Sequence, residues 1–142
     1  MSRITENKTI VGMARWLVAF PNRIGILEPF ARGMMRAMAR FSMDRVGAKP
    51  ANDLVELFDE WKRSSPALAD YQLVRIEGDK VFAEIHSNCA LRGTGNRRAC
   101  ERMMEYDFEV MRAVGGQLQI TSSQSNNGKT HCSVVLKMKA SS

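Results

Sequence analysis

The stretch Tyr71-Gln-Leu-Val-Arg-Ile-Glu77-Gly78-Asp79-Lys80-Val81-Phe-Ala-Glu-Ile-His86 decides the fold. Two runs rich in β-branched and aromatic residues flank a glycine-centred turn, Glu77-Gly78-Asp79-Lys80, and Val81, Ala83 and Ile85 alternate onto one face. A period of two, interrupted by turn residues, predicts an antiparallel hairpin with one buried side. The pattern returns at 117–124 and 130–138 around Asn126-Asn127-Gly128, where Asn-Gly is a strong turn signal and Cys132, Val134, Leu136 and Met138 share a face. Between the two hairpins, residues 97–114 have helical periodicity and stop at Gly115-Gly116.

Upstream of residue 70 the period changes to that of helices. One is expected over 8–20, ended by Pro21, and a second from Pro29 to Val46, stopped by Gly47. A third, over 51–63, starts near Pro50 or Asn52, is expected to bury Leu54, Val55, Leu57, Phe58 and Trp61, and ends at Ser64-Ser65-Pro66. On an ideal wheel of the second helix, Phe30, Met34, Ala37, Met38 and Phe41 fall on one face and Arg32, Arg36 and Arg40 on the other. The fold class is therefore α+β: N-terminal helices, then an antiparallel four-stranded sheet made of two hairpins with one helix between them. A single domain is expected over 1–142, with a helical part at 1–66 and a sheet- and cysteine-bearing part at 67–140. With 142 residues, 44% hydrophobic and 25% charged, the chain can bury a core without disulfide staples, and wholesale disorder is excluded.

The net charge is +6, and residues 1–46 hold eight Lys/Arg against three acids. Such a field attracts anionic partners, and Arg32, Arg36 and Arg40 are the candidates for docking an acidic protein or a membrane surface. The aromatic–basic interleaving of RNA-binding modules is absent. Residues 9–20 are apolar but short and interrupted by Arg15, so neither a spanning helix nor a signal peptide is expected. Three cysteines, an odd number, argue against a secreted disulfide framework and for the cytoplasm.

Chemistry concentrates in His86-Ser-Asn-Cys89, Cys100 and His131-Cys132. Cys89 follows a strand, Cys100 sits in the first turn of a helix, and Cys132 starts the last strand, so chain order brings all three to one end of the sheet. Thiolates bind soft metals and clusters, and a helix start beside Arg97 and Arg98 favours the thiolate of Cys100. His86 is the candidate fourth ligand, or the group that orients a thiolate. His131 and Cys132 point to opposite faces because they are adjacent on a strand, and His131 reads as an exposed histidine. Cys132 also fits an ordinary core position, and no Cys-x-x-Cys is present. On the helix at 97–114, Glu101, Glu105 and Glu109 form a stripe expected to be solvated, while Asp107 is a candidate general base or a partner for an arginine or a backbone amide. Gly93-Thr-Gly95 is too short for a phosphate loop.

Asn88-Cys89-Ala90-Leu91, Cys100-Glu101 and Gly128-Lys129-Thr130-His131-Cys132 together resemble a C-terminal module of several bacterial families. Over residues 71–138 the pattern resembles the effector domain of the iron–sulfur-dependent repressors of cluster-assembly genes, where three cysteines hold the cluster. It is similar also to the four-vinyl-reductase small-molecule-binding domain and to the L-2-amino-thiazoline-4-carboxylate hydrolase family. No winged helix–turn–helix precedes the module in this sequence, so DNA is not an expected partner.

Three functions follow as expectations. The first is a sensor or carrier module that binds a small hydrophobic molecule or a metal cluster, with Cys89, Cys100 and Cys132 as thiolate ligands of an iron–sulfur cluster or zinc. Ten methionines suit an adaptable apolar pocket between helices and sheet. The second, which the resemblance implies, is a small cysteine-dependent hydrolase of the amino-thiazoline-carboxylate type with Cys89 or Cys100 as nucleophile and His86 or Asp107 as base. The third is a non-catalytic interaction protein using its basic helices; a homodimer is compatible with any of them.

Overall fold

A computed structural model describes residues 28–65, 68–87, 89–126 and 128–139. The helix expected at 8–20 and the basic residues before Glu28 lie outside them. Two helices come first, α1 (Glu28–Val46) and α2 (Leu54–Arg63), followed by a 3-10 turn at Leu68–Asp70. The strands β1 (Tyr71–Glu77) and β2 (Lys80–Ile85) form the first hairpin, with Gly78 at φ 60° in the turn. Then come α3 (Arg97–Met103), α4 (Glu105–Ala113), β3 (Gly116–Ser122) and β4 (Cys132–Met138). The single helix expected at 97–114 is thus two helices interrupted at Met104, although the backbone bonds Met104 N–H to Cys100 O and Phe108 N–H to Met104 O carry on through the break.

All strand pairs are antiparallel, in the order β1-β2-β4-β3. Each hairpin keeps its own partner, and the inner strands β2 and β4 meet with Val81 opposite Leu136, Ala83 opposite Val134 and Ile85 opposite Cys132. These six side chains are buried, because alternation turns all of them to the face the helices cover. Leu57, Phe58 and Trp61 of α2 and Val110 and Met111 of α4 close that face. Each fully buried aliphatic such as Val81 or Leu136 contributes about 1.5–3 kcal/mol relative to exposure. Among the described residues no helix is long and apolar enough to cross a membrane.

Two local readings are corrected by the packing. The start of α2 is fixed by Asp53, whose carboxylate accepts the Glu56 N–H at 2.8 Å, while the Glu56 side chain accepts the Asn52 N–H at 2.8 Å. Val55 is exposed there. On α1 the buried stripe is Ala31, Met35, Ala39 and Met43, whereas Phe30 is 62% and Phe41 69% exposed. The small side chains of Ala31 and Ala39 admit a close approach of α4, and the arginines beside them reach its glutamates. The Phe30–Phe41 face of α1 therefore turns away from the core.

Candidate functional site

Two of the cysteines contact one polar turn, and the third lies in the loop bonded to it. β2 ends at Ile85 and β4 begins at Cys132, so their pairing brings the exit of one strand beside the entry of the other. The chain after β2 runs along that end of the sheet to Asn96, whose side chain accepts the Ala99 N–H at 3.0 Å and so opens α3 three residues before Cys100. Residues Ser123, Gln124 and Ser125, between β3 and β4, are buried beneath this segment. Gly93 N–H donates to Gln124 O and Gly95 N–H to Ser125 O, at 3.0 and 2.7 Å. The Gln124 amide donates to the Ser87 carbonyl at 2.8 Å, and Arg92 Nε donates to Gln124 Oε1 at 2.9 Å. Both glycine amides are used in this seam.

Each sulfur on this seam has a hydrogen-bonding neighbour. Leu91 N–H donates to Cys89 Sγ at 3.4 Å, and Gln124 N–H donates to Cys132 Sγ at 3.4 Å. The Ser123 hydroxyl lies 3.0 Å from Cys100 Sγ and 2.8 Å from the Ser125 hydroxyl. Cys100 and Cys132 are buried, Cys89 is half-buried, and all three are free thiols. Burial pushes the Cys132 thiol up to about 11, against the Gln124 N–H and with a further rise from the neighbouring Cys100 and Cys89. Burial likewise raises Cys100, and the help from the Ser123 hydroxyl and Arg97 is smaller. The expectation of a depressed thiol at Cys100 is therefore corrected: loss of water outweighs the helix start and the arginine. Cys100 meets this turn at Ser123 and Cys132 meets it at Gln124, and the three sulfurs do not all lie within 4.8 Å of one another.

His86 does not join them. Cys132 and Ile85 face the core, so the residues one step beyond, His131 and His86, turn to the opposite face, where their rings stack with centroids 4.9 Å apart. His86 as a fourth ligand of the cysteine group, or as the base beside a cysteine, is corrected on that ground. His131 is also not a solitary histidine: both rings bond to Glu84. Alternation about the Ile85–Cys132 pair was the signal in the sequence that could have found this trio.

Asp107 lies elsewhere in the core. Trp61 Nε1–H and Tyr71 O–H both donate to its Oδ1 at 2.9 Å, and burial pushes its carboxyl up to about 6 against those two donors. Its hydrogen-bonding partners are thus an indole and a phenol rather than a thiol. The glutamate stripe is not uniformly solvated either. Glu101 is exposed, but Glu105 is buried and accepts Arg36 Nε at 2.8 Å and Arg32 Nη1 at 3.1 Å, while Glu109 accepts Arg40 Nε at 3.1 Å. Arg32, Arg36 and Arg40 are the complement of α4. The buried Ser123–Ser125 turn was not legible beforehand, because a Ser/Gln run before Asn-Gly has the composition of an exposed loop. Comparison with family models, with curated proteins and with solved structures gives no match, so the resemblance of residues 71–138 stands on its quoted motif.

Proposed function

We propose that the chain is a metal-cluster-binding sensor or carrier module whose ligands are the thiolates of Cys89, Cys100 and Cys132. The observation that carries this reading is that Cys100 and Cys132 meet the Ser123–Ser125 turn, at Ser123 and Gln124, while the loop that carries Cys89 is tied to the same turn by Gly93 N–H on Gln124 O, and each sulfur has a hydrogen-bonding neighbour. N–H and O–H groups directed at sulfur are what a metal-bound thiolate needs from its surroundings, since they offset its charge and tune the metal. The donor set fits a thiophilic centre. Burial keeps Cys132 and Cys100 protonated in the empty protein, so loading releases protons and gains affinity as pH rises. A lone tetrahedral zinc with bonds of about 2.3 Å needs sulfurs about 3.8 Å apart, whereas an iron–sulfur cluster spreads its thiolates over separate irons. Half-buried Cys89 gives the route of entry, and unpaired thiols suit the reducing cytoplasm.

A cysteine hydrolase has weaker support, because His86 lies across the sheet and Asp107 is engaged by Trp61 and Tyr71. The test is the metal and sulfide content of the full chain, reconstituted anaerobically with iron and sulfide. Stoichiometric loading is expected, lost in Cys100→Ser and in Cys89→Ser. The second variant alters a half-buried site and keeps the test valid if the first destabilises the core. Cys132→Ala is expected to lose the metal and also to unfold at lower denaturant. A folded wild-type protein that takes up no iron and sulfide, or whose bound iron survives both Cys89→Ser and Cys100→Ser, overturns the reading.

A further inference from the structure

The outer face of the sheet carries a second set of metal-capable side chains, separate from the thiols. Glu84 and His86 are two residues apart, so they project to the same side of the β2 line. His131 precedes the start of β4, which pairs Cys132 with Ile85, and this sets His131 across from His86. His86 Nε2 lies 3.1 Å from Glu84 Oε1, and His131 Nε2 lies 3.1 Å from Glu84 Oε2. The two rings are stacked at an interplanar angle of 19°, and the Thr130 hydroxyl lies 3.4 Å from His131 Nδ1. One carboxylate and two imidazole nitrogens thus have their donor atoms within 4.8 Å of one another, the only such group of three among the described residues.

We infer that Glu84, His86 and His131 form a surface site for a divalent first-row transition ion of the zinc type. The chemistry of the donors selects the ion. Two imidazoles and a carboxylate suit zinc, nickel and copper far better than magnesium or calcium, which take all-oxygen shells. In the ion-free protein each Nε2 lies at hydrogen-bonding distance, 3.1 Å, from a different oxygen of the Glu84 carboxylate, so one carboxylate already draws both rings together. Glu84 is on β2, and His86 and His131 directly flank the paired ends of β2 and β4, which limits the rearrangement needed on binding. Three protein ligands leave a fourth position for water or an incoming donor. The Thr130 hydroxyl beside the far nitrogen of His131 is placed to steady that ring.

The sequence contains two histidines, so ring-nitrogen NMR of the full chain reads the site directly. On titration with Zn²⁺, the Nε2 resonances of both rings are expected to shift together and saturate at one equivalent. Glu84→Gln and His86→Ala each weaken the His131 response by about tenfold or more, as expected for losing one of three ligands or its charge. Cys100→Ser leaves it unchanged, which separates this site from the thiol site. No response up to millimolar zinc, separate midpoints for the two rings, or a response that survives Glu84→Gln overturns the inference.

Discussion

A carboxyl group cut off from water keeps its proton to higher pH, and Asp107 does so up to about 6 although two donors favour its anion. The direction of the linkage follows. The folded-state value is raised above the ordinary 3.8, so the stabilisation is complete below that pH and is lost as pH rises through about 6. At about 1.36 kcal/mol per pH unit, the ionised side chain costs the fold about 3 kcal/mol at neutral pH. Asp107→Asn keeps an acceptor for Trp61 and Tyr71 without the charge. Urea unfolding between pH 4 and 7 is expected to show the variant gaining on the wild type by up to about 3 kcal/mol as pH rises. A pH-independent difference contradicts this description of the residue. Nothing local in Tyr106-Asp107-Phe108 marks the position as buried; its two partners arrive from α2 and β1, 46 and 36 residues away.

Between elements, the α1–α4 contact is an ion-pair ladder that the helical wheel did not disclose. Burial alone would raise the Glu105 carboxyl, but hydrogen bonds from Arg36 and Arg112 bring it below the ordinary value. A lowered carboxylate stabilises above its unfolded value and loses that contribution as pH falls through the folded one, opposite in sign to Asp107. Glu105→Gln is therefore expected to lower stability by about 1–2 kcal/mol at pH 7 and by less below pH 4. The figure lies between the ranges for exposed and buried pairs, because the arginines left behind remain wet. Arg40→Ala, at a side chain 67% exposed, is expected to cost under about 1 kcal/mol. At the start of β3, a Cβ on Gly116 would lie 2.6 Å from both Leu57 Cδ1 and Met111 Sδ. Gly116→Ala is expected to destabilise by about 1–3 kcal/mol through overpacking, read from the urea midpoint. The strands were legible because alternation and Gly78 act locally, within a hairpin. Which face of α1 is buried depends on Glu105 and Glu109, roughly 70 residues further on, and a single-helix wheel does not contain them.

For the whole molecule, the order of elements and the antiparallel sheet follow from the sequence pattern, and the pairing of Ile85 with Cys132 brings two segments of the cysteine motif together. The same pairing divides the chemistry between two faces, thiols toward the helices and imidazoles away from them. The sequence, read as a line of motifs, had joined His86 to the cysteines. The central claim is ligation by thiolate, and X-ray absorption of the reconstituted full chain at the edge of its bound metal tests it most directly. The account predicts a dominant shell of sulfur at about 2.3 Å, lost in Cys100→Ser. A shell made only of nitrogen and oxygen at about 2.0–2.2 Å would contradict it and assign the bound metal to the histidine face instead.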